Sequence, residues 1–522
     1  MTCSTNPAFA QPLSLAPAAM PAMGTIDVRY QSYNVEMAEV VGGNFWKPYD
    51  RKSGRKNPAA PQSRSTTSAS PDGAHFQIGQ GAMFEARRPI DLANARLRKL
   101  AAALGPAYIR VSGTWANSVY FHDSDVPPPV SPPKGFTSVL SRSEWKGVID
   151  FARKVDAKIV TSFAISPGVR NSADIWTTDQ ARNLLAYTRS AGGEIAAVEF
   201  FNEPNLPTEE GAPPPYSAVD FAGDFAIFRR FIKTEAPGIL IAGPGTVGEG
   251  DALSIIATSM PSLTTLEILA ALAPPRFDIF SYHSYPAASV RCAFFGQETQ
   301  TTEEDALSDK WLRRPDQTHV FYLSLRDRYE PGKPAWITET ADAACGGNPW
   351  ASTFLDSFRY LDQLGWLAKE GVQVVFHNTL ASSDYGLLDP DTFEPRPNYW
   401  AALLWHRLMG TKVLDAGSPW PGLKLYAHCL PGHPGGVTIL AINNSRNQPW
   451  SLELSLTSHQ YMLTSHQLDS ASVELNGNEL KLQTSGELPL LQGERFPAGY
   501  INLPPASITF LAIAEAGNGN CQ

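Results

Sequence analysis

From residue 33 to about residue 409 the chain alternates short apolar runs with longer helical patterns, and the alternation returns eight times. The runs fall at 33–37, 107–111, 158–163, 197–201, 239–243, 277–283, 335–339 and 372–377. Runs this short, separated by helix-length segments, predict parallel strands joined by crossover helices. Eight such units close most simply into a (β/α)8 TIM barrel, an α/β fold. The helices carry signals of their own. Trp145, Val148, Ile149, Ala152 and Val155 share one face of a helix over 143–155. Asp91 opens another, which Gly105 and Pro106 stop after Leu104.

The pattern changes near residue 410. Leu423 to Cys429, Val437 to Asn443, Ser451 to Leu456, Val473 to Leu475 and Ile508 to Ile513 are short and mostly alternating, with turns such as Asn476-Gly477 between them. That predicts an antiparallel β-sandwich over 410–522, behind a barrel over 33–409. Thr25 to Tyr30 also alternates, so residues 25–32 are expected to join the sandwich as a strand. Residues 1–24 read as a leader. Ala8-Phe9-Ala10-Gln11 matches an A-x-A cleavage site, and 11–24 are rich in Pro and Ala, which points to a secreted or periplasmic protein. No stretch of about 20 apolar residues occurs, so no membrane span is expected.

Net charge is −9, which argues against nucleic acid as a partner. It would also repel a polyanion unless a local basic patch lined the cleft. Lys47, Arg51, Lys52, Arg55, Lys56 and Arg64 crowd the loop after the first strand, either as such a patch or as a solvated loop. The five cysteines form no C-x-x-C, and no H-E-x-x-H occurs, so neither a metal site nor a cofactor is expected. Cys3 lies in the leader. Cys292 and Cys345 fall in the loops after strands six and seven, neighbours on a barrel rim, and are either bridged or two buried thiols.

Two carboxylates carry the chemistry. Phe200-Phe201-Asn202-Glu203-Pro204-Asn205 puts Glu203 at the end of strand four, where Pro204 stops the strand. Pro334-Ala335-Trp336-Ile337-Thr338-Glu339-Thr340 puts Glu339 at the end of strand seven. Barrel closure brings both rims over one cavity, and catalytic groups of such barrels sit on that rim. A glycosidic bond is broken by two such carboxyls, one protonated and one ionised. Glu203 is the expected acid/base and Glu339 the nucleophile, with Asn202 donating to a sugar 2-hydroxyl. An Arg inside a strand needs a carboxylate partner, which makes Arg110 a candidate to pair with the nucleophile. Tyr285 can donate to the same group from just past strand six. His283 is either a rim group or a satisfied core histidine.

These motifs resemble clan A of the glycoside hydrolases, and more closely family 79, the heparanases and related β-glucuronidases. The resemblance covers nearly the whole chain. It rests on Arg110-Val111-Ser112-Gly113-Thr114, on Phe201-Asn202-Glu203-Pro204-Asn205, and on Glu339-Thr340 followed by Gly346-Gly347. It rests further on Asp384-Tyr385-Gly386-Leu387-Leu388-Asp389, Pro397-Asn398-Tyr399-Trp400, Gly410-Thr411-Lys412-Val413-Leu414 and Cys521. The resemblance implies that a uronic carboxylate is held by the Gly346 and Gly347 N–H groups and the Tyr385 hydroxyl. Glycines let backbone donors approach an anion closely. It also implies a bridge between Cys429 and Cys521, and a sugar contact for Glu36, which otherwise reads as a solvent carboxylate at a strand end. The interval from Glu339 to Gly346 is one residue longer than in animal heparanases and contains Cys345. Residues 122–142 are too short to hold the segment that those enzymes excise, which implies a single-chain enzyme.

The leading expectation is a retaining β-glucuronidase that releases terminal glucuronic acid from glucuronides or uronic-acid glycans. A heparanase-like endo-β-glucuronidase on heparan sulfate or another acidic polysaccharide is the rival. A non-catalytic carbohydrate-binding protein on the same fold is a third reading. A clan A enzyme for neutral sugars is a fourth, if Gly346 and Tyr385 hold no carboxylate.

Overall fold

Eight parallel strands close into a barrel in the computed structural model, which describes residues 12–49, 83–250, 262–418 and 420–522. They are β1 (Gln31–Asn34), β2 (Ala107–Val111), β3 (Ala157–Thr161), β4 (Ile195–Val198), β5 (Leu240–Thr246), β6 (Ile279–Ser284), β7 (Ala335–Thr340) and β8 (Val374–His377). They are ordered as in the chain, and β8 pairs in parallel with β1 to close the ring. This is the fold the alternation predicts.

Side chains alternate along a strand, and the inner face of the barrel changes character along its axis. One end is an apolar plug in which Tyr108, Trp336 and Phe376 meet, while Ala197 and Ala242 make room for them. Arg110 follows Tyr108 by two residues and Glu199 follows Ala197 by two, so the same faces turn polar above the plug. His283 stands in the same relation to Ile279, two alternations on.

The crossover helices pack around this ring. After β1 comes the short α1 (Met37–Val41), and before β3 comes α2 (Arg142–Lys154). A capping box starts α2, with Ser141 Oγ accepting from Glu144 N and Glu144 Oε2 from Ser141 N. It buries Trp145, Val148, Ile149 and Ala152, the face read from the sequence. Helix α3 (Phe354–Lys369), after β7, is buried on nearly every side because it lies between barrel and sandwich. At Gly365 a side chain would overlap the Tyr426 ring, so the glycine lets the two layers meet. The Tyr426 hydroxyl donates to Asp362 Oδ1 at 2.6 Å across that contact.

The sandwich is built on Leu423–Cys429, Val437–Asn443, Ser507–Ile513 and Ser458–Thr464, all paired antiparallel. A second sheet pairs Trp450–Leu454 with Gly499–Leu503. Two N-terminal expectations need correction. Residues 25–32 are not a sandwich strand: Ala22–Thr25 is, pairing with Lys412–Leu414, and β1 already begins at Gln31. Between them Asp27 makes a turn, its carboxylate accepting from Arg29 N and its carbonyl from Tyr30 N. Nor is the segment from residue 12 to 24 mere leader. Leu13–Leu15 pairs in parallel with Leu452–Leu454 and covers the edge of that sheet, with Leu15 and Met20 buried in the sandwich core. The A-x-A match lies outside the described residues, as do Arg51, Lys52, Arg55, Lys56 and Arg64 of the basic loop.

Both disulfides form. Cys292 and Cys345 join the loops after β6 and β7, and Cys429 pins Cys521 at the end of the chain. Among the described residues, no helix is long and apolar enough to cross a membrane.

Candidate active site

Strand β4 ends at Val198, five residues before Glu203, so the acid sits on a short extension of the strand. Phe200 and Phe201 anchor that extension. Phe200 stacks on Phe228 at 5.0 Å and meets the edge of Trp176 at 5.2 Å. Glu203 itself adopts φ +46°, a left-handed conformation that an L-residue holds only under constraint from its surroundings. Glu339 lies inside β7, beside a register shift between Ile337 and Thr340, and pairs with His283 on β6.

Arg110 joins these elements. Fully buried, it donates from Nε to Glu199 Oε2 at 2.8 Å, from Nη1 to Glu339 Oε2 at 3.0 Å and from Nη2 to Asn202 Oδ1 at 2.8 Å. Its Nη2 also lies 3.3 Å from His283 Nε2. The expectation that this strand Arg pairs with a carboxylate is met twice over. Burial pushes the Glu199 carboxyl up, but Arg110, with His283, holds it below the usual range.

The two catalytic candidates have different surroundings. Glu339 accepts from Arg110 and from the Tyr285 hydroxyl, with Asn378 Nδ2 at 3.4 Å. Burial, and then Glu339 itself, push the Tyr285 hydroxyl well above its ordinary value, so it remains a donor. Among the described residues no Lys or Arg pairs with Glu203; its Oε1 lies 2.9 Å from His283 Nδ1. Burial raises the Glu203 carboxyl and the nearby Glu339 adds to this, against the opposing pull of His283 and Arg110. His283 Nδ1 is 3.7 Å from Glu339, so the fully buried ring faces both carboxyls.

Gly346, Gly347 and Tyr385 come together beside this pair. Both glycines have φ near +85°, at +83° and +87°. A Cβ on Gly346 would lie 2.5 Å from Trp46 Cβ and 2.7 Å from Ser383 Oγ, and one on Gly347 would crowd Tyr385 N at 3.1 Å. Asn378 links this corner to Glu339, donating from Nδ2 to the Tyr285 hydroxyl at 3.0 Å and the Tyr385 hydroxyl at 3.3 Å. Burial, and then Glu36, keep the Tyr385 hydroxyl protonated by pushing it well up. Glu36 is not a solvent carboxylate. It is buried between β1 and α1, its Oε2 has no partner among the described residues, and Gly113 leaves room where a side chain would overlap it. Burial and the charge of Glu339 push it well above the usual range.

Sequence reasoning missed Glu199, Glu210 and Asn378. The alternation Ala197-Val198-Glu199 was a usable signal for the first, because it puts Glu199 on the inner face. For Glu210 and Asn378, which lie in irregular segments, the sequence offers none. Glu203, His283 and Glu339 also bring three ligand-type atoms within 4.8 Å of one another. The guanidinium of Arg110 already supplies positive charge to His283 and Glu339, so the set reads as a carboxyl pair rather than a cation site.

Among solved structures, a 4-O-α-L-rhamnosyl-β-D-glucuronidase from Fusarium oxysporum 12S shares the fold, with a TM-score of 0.60 at 14% identity over 97% of this chain and 100% of that one. A (β/α)8 barrel with one Glu after β4 and another in β7, their oxygens within 4.8 Å, defines a clan A glycoside hydrolase, and the chain is a glycosidase of that class. Heparanase of Gallus gallus is 36% identical over 401 residues, which span 73% of this chain and 72% of that protein. The chain belongs to the heparanase family, glycoside hydrolase family 79. A hyaluronoglucuronidase from Hirudo nipponia is 27% identical over 479 residues, 83% of this chain and 92% of that protein. No family model matches the chain.

Proposed function

We propose that the protein is a retaining β-glucuronidase that releases terminal glucuronic acid by double displacement. One observation carries this reading: oxygens of Glu203 and Glu339 approach within 4.8 Å. That approach is nearer to the roughly 5–5.5 Å between the carboxyls of retaining enzymes than to the about 6.5–9.5 Å of inverting enzymes, which hold a water between theirs. Glu339 attacks the anomeric carbon while the departing oxygen takes the Glu203 proton. Glu203 then removes a proton from water, which attacks the glycosyl ester and frees Glu339. The Asn202 amide keeps one hydrogen for the sugar 2-hydroxyl, and Tyr285 and Arg110 bear on Glu339 as charge shifts on and off it.

The Gly346 and Gly347 N–H groups and the Tyr385 hydroxyl hold the uronate. Among the described residues neither glycine N–H donates to a protein acceptor. Arg291 supports release of terminal sugar. It reaches Asp384 Oδ2 at 2.9 Å, lies 3.9 Å over the Tyr49 ring and donates to Lys47 O, lacing the loops after β1, β6 and β8 across the rim beside Tyr385. A closed rim there fits one sugar better than a continuing chain. The heparanase and hyaluronoglucuronidase relatives favour a second reading, internal cleavage of a uronic-acid polymer. The two disulfides suit an oxidising compartment, so we place the enzyme outside the cytosol.

The test is kcat/KM for matched aryl β-glucuronide and β-glucoside, with product sizing on a uronic-acid polymer. Each charge-assisted bond lost with the carboxylate costs about 1.5–3 kcal/mol, so the glucoside should react slower by orders of magnitude, and Tyr385→Phe should narrow the gap. Similar rates on both sugars would reject the uronate reading. Large oligosaccharides as first products would replace terminal release with internal cleavage.

A further inference from the structure

At the end of the Asn202 side-chain amide opposite to the one Arg110 holds sits a further buried carboxyl. Glu210, in the long loop after β4, accepts from Thr114 Oγ1 at 2.9 Å on Oε1, and on Oε2 from Asn117 Nδ2 at 2.5 Å and Asn202 Nδ2 at 3.1 Å. All three donors are neutral, in contrast to Glu199, which has a guanidinium. Burial, and then the neighbouring Glu203, push the Glu210 carboxyl well above the usual range. Asn117 has a second task. Its Oδ1 accepts from Asn202 N at 2.9 Å and its Nδ2 donates to Asn202 O at 3.1 Å, so it grips the peptide groups on both sides of Asn202.

Glu210 therefore bears on Asn202 in two ways, through the side-chain amide and through the Asn117 that grips its backbone. Arg110 alone fixes only the oxygen end of the Asn202 amide, and a plane held at one point can still turn. The second anchor sets the direction of the remaining Nδ2 hydrogen, which has no acceptor among the described residues. The next residue along is Glu203 in its left-handed conformation.

We infer that Glu210 is a positioning residue that fixes the side-chain amide of Asn202 toward the sugar 2-hydroxyl. The inference rests on the proposed role of Asn202 in that contact. A hydrogen bond to the 2-hydroxyl that strengthens in the transition state speeds the reaction only if its donor is already aimed. Loss of the aim should thus cost rate specifically on substrates that carry the 2-hydroxyl.

The experiment compares kcat/KM for an aryl β-glucuronide and its 2-deoxy analogue in wild type, Asn202→Ala, Glu210→Ala, Glu210→Gln and the Asn202→Ala/Glu210→Ala double variant. Asn202→Ala should lower the ratio of the two rates, and Glu210→Ala should lower it about tenfold or more while the 2-deoxy rate changes little. Glu210→Gln keeps an acceptor for the two amides, and Thr114 can turn to accept from the new NH2 group, so the ratio should recover. The double variant should fall no further than Asn202→Ala alone, because the two residues act through one contact. An equal loss on both substrates in Glu210→Ala and Glu210→Gln means a structural role only and overturns the inference. So does a double variant whose losses add. If Asn202→Ala itself leaves the ratio unchanged, the proposed role of Asn202 falls and the inference falls with it. If only the Glu210 variants leave it unchanged, Asn202 keeps its role and the inference alone is wrong.

Discussion

Arg110 Nη1 stands 3.0 Å from Glu339 Oε2, an ion pair in which the Arg is wholly out of solvent. The same guanidinium serves Glu199 and Asn202, so a group from β2 orients the residue before Glu203 and pairs with Glu339 at once. Arg110→Ala leaves two carboxylates buried without their cation, and removal of one partner from a buried pair costs about 3–5 kcal/mol. Arg110→Lys restores the charge but not the fork, since a compact ammonium cannot span Glu199 and Asn202 after β4 together with Glu339 in β7. Denaturant unfolding should show the alanine variant destabilised by that amount. Both variants should lose kcat about a hundredfold or more.

The unequal surroundings of the two carboxyls predict unequal variants. Glu339→Gln should abolish turnover of every substrate, because no covalent intermediate can form. Glu203→Ala should retain activity on aryl glycosides with very good leaving groups, which need no proton. A free acid must be protonated to act, and Glu203 is raised, so the wild-type rate should fall as pH climbs through a value above the ordinary carboxylate range. Glu203→Ala should lose that limb with activated substrates. A 2-fluoro glycosyl label should be found on Glu339 in a peptide digest, and on no other residue.

The buried carboxyls also set how stability follows pH. Burial pushes Glu39 up to about 7 and Asp342 up to about 8, and Glu36, Glu203 and Glu210 are raised as well. Each folded pKa exceeds its unfolded value, so the folded state holds protons that the unfolded chain gives up. Their contribution to stability is complete below the ordinary carboxylate pKa of about 4 and declines as pH rises toward about 8. Glu199, being lowered, acts in the opposite sense, and its contribution is lost only in stronger acid. Denaturant midpoints should drop across this window, and Asp342→Asn should flatten the upper part. Midpoints that climb over the same range would contradict the assignment.

The two disulfides should separate on mutation. Cys429 and Cys521 close a loop over 92 residues at the end of the sandwich, away from the site. Replacing both with Ser should cost stability on the order of 4 kcal/mol from chain entropy and leave kcat/KM unchanged. Cys292 and Cys345 lie next to Arg291 and Gly346, so their loss should raise KM for the glucuronide as well as lower stability. Thermal unfolding and steady-state kinetics on the two double variants decide.

The eightfold alternation, the sandwich strands after residue 410 and the two carboxyls of Asn202-Glu203-Pro204 and Thr338-Glu339 were legible in the chain, because each is written in neighbours. Period 2, helix faces, a proline stop and a glycine pair are local signals that need no knowledge of the fold. Arg110 could be marked as needing a carboxylate, but Glu199 and Glu339 lie 89 and 229 residues away, and only closure of the barrel selects them. The same holds for Asn378, which joins Tyr285 to Tyr385, and for Glu210, two of whose three donors, Thr114 and Asn117, come from the loop after β2. Leu13–Leu15 looked like leader, for an edge strand gains its meaning only from the sheet it completes, whose paired residues lie 439 positions further on, as 452 − 13. The sequence by itself determined which groups can carry the chemistry. Tertiary structure decided their partners, because a buried charge or amide is satisfied by whatever the fold brings within about 3 Å, and chain order does not record that distance.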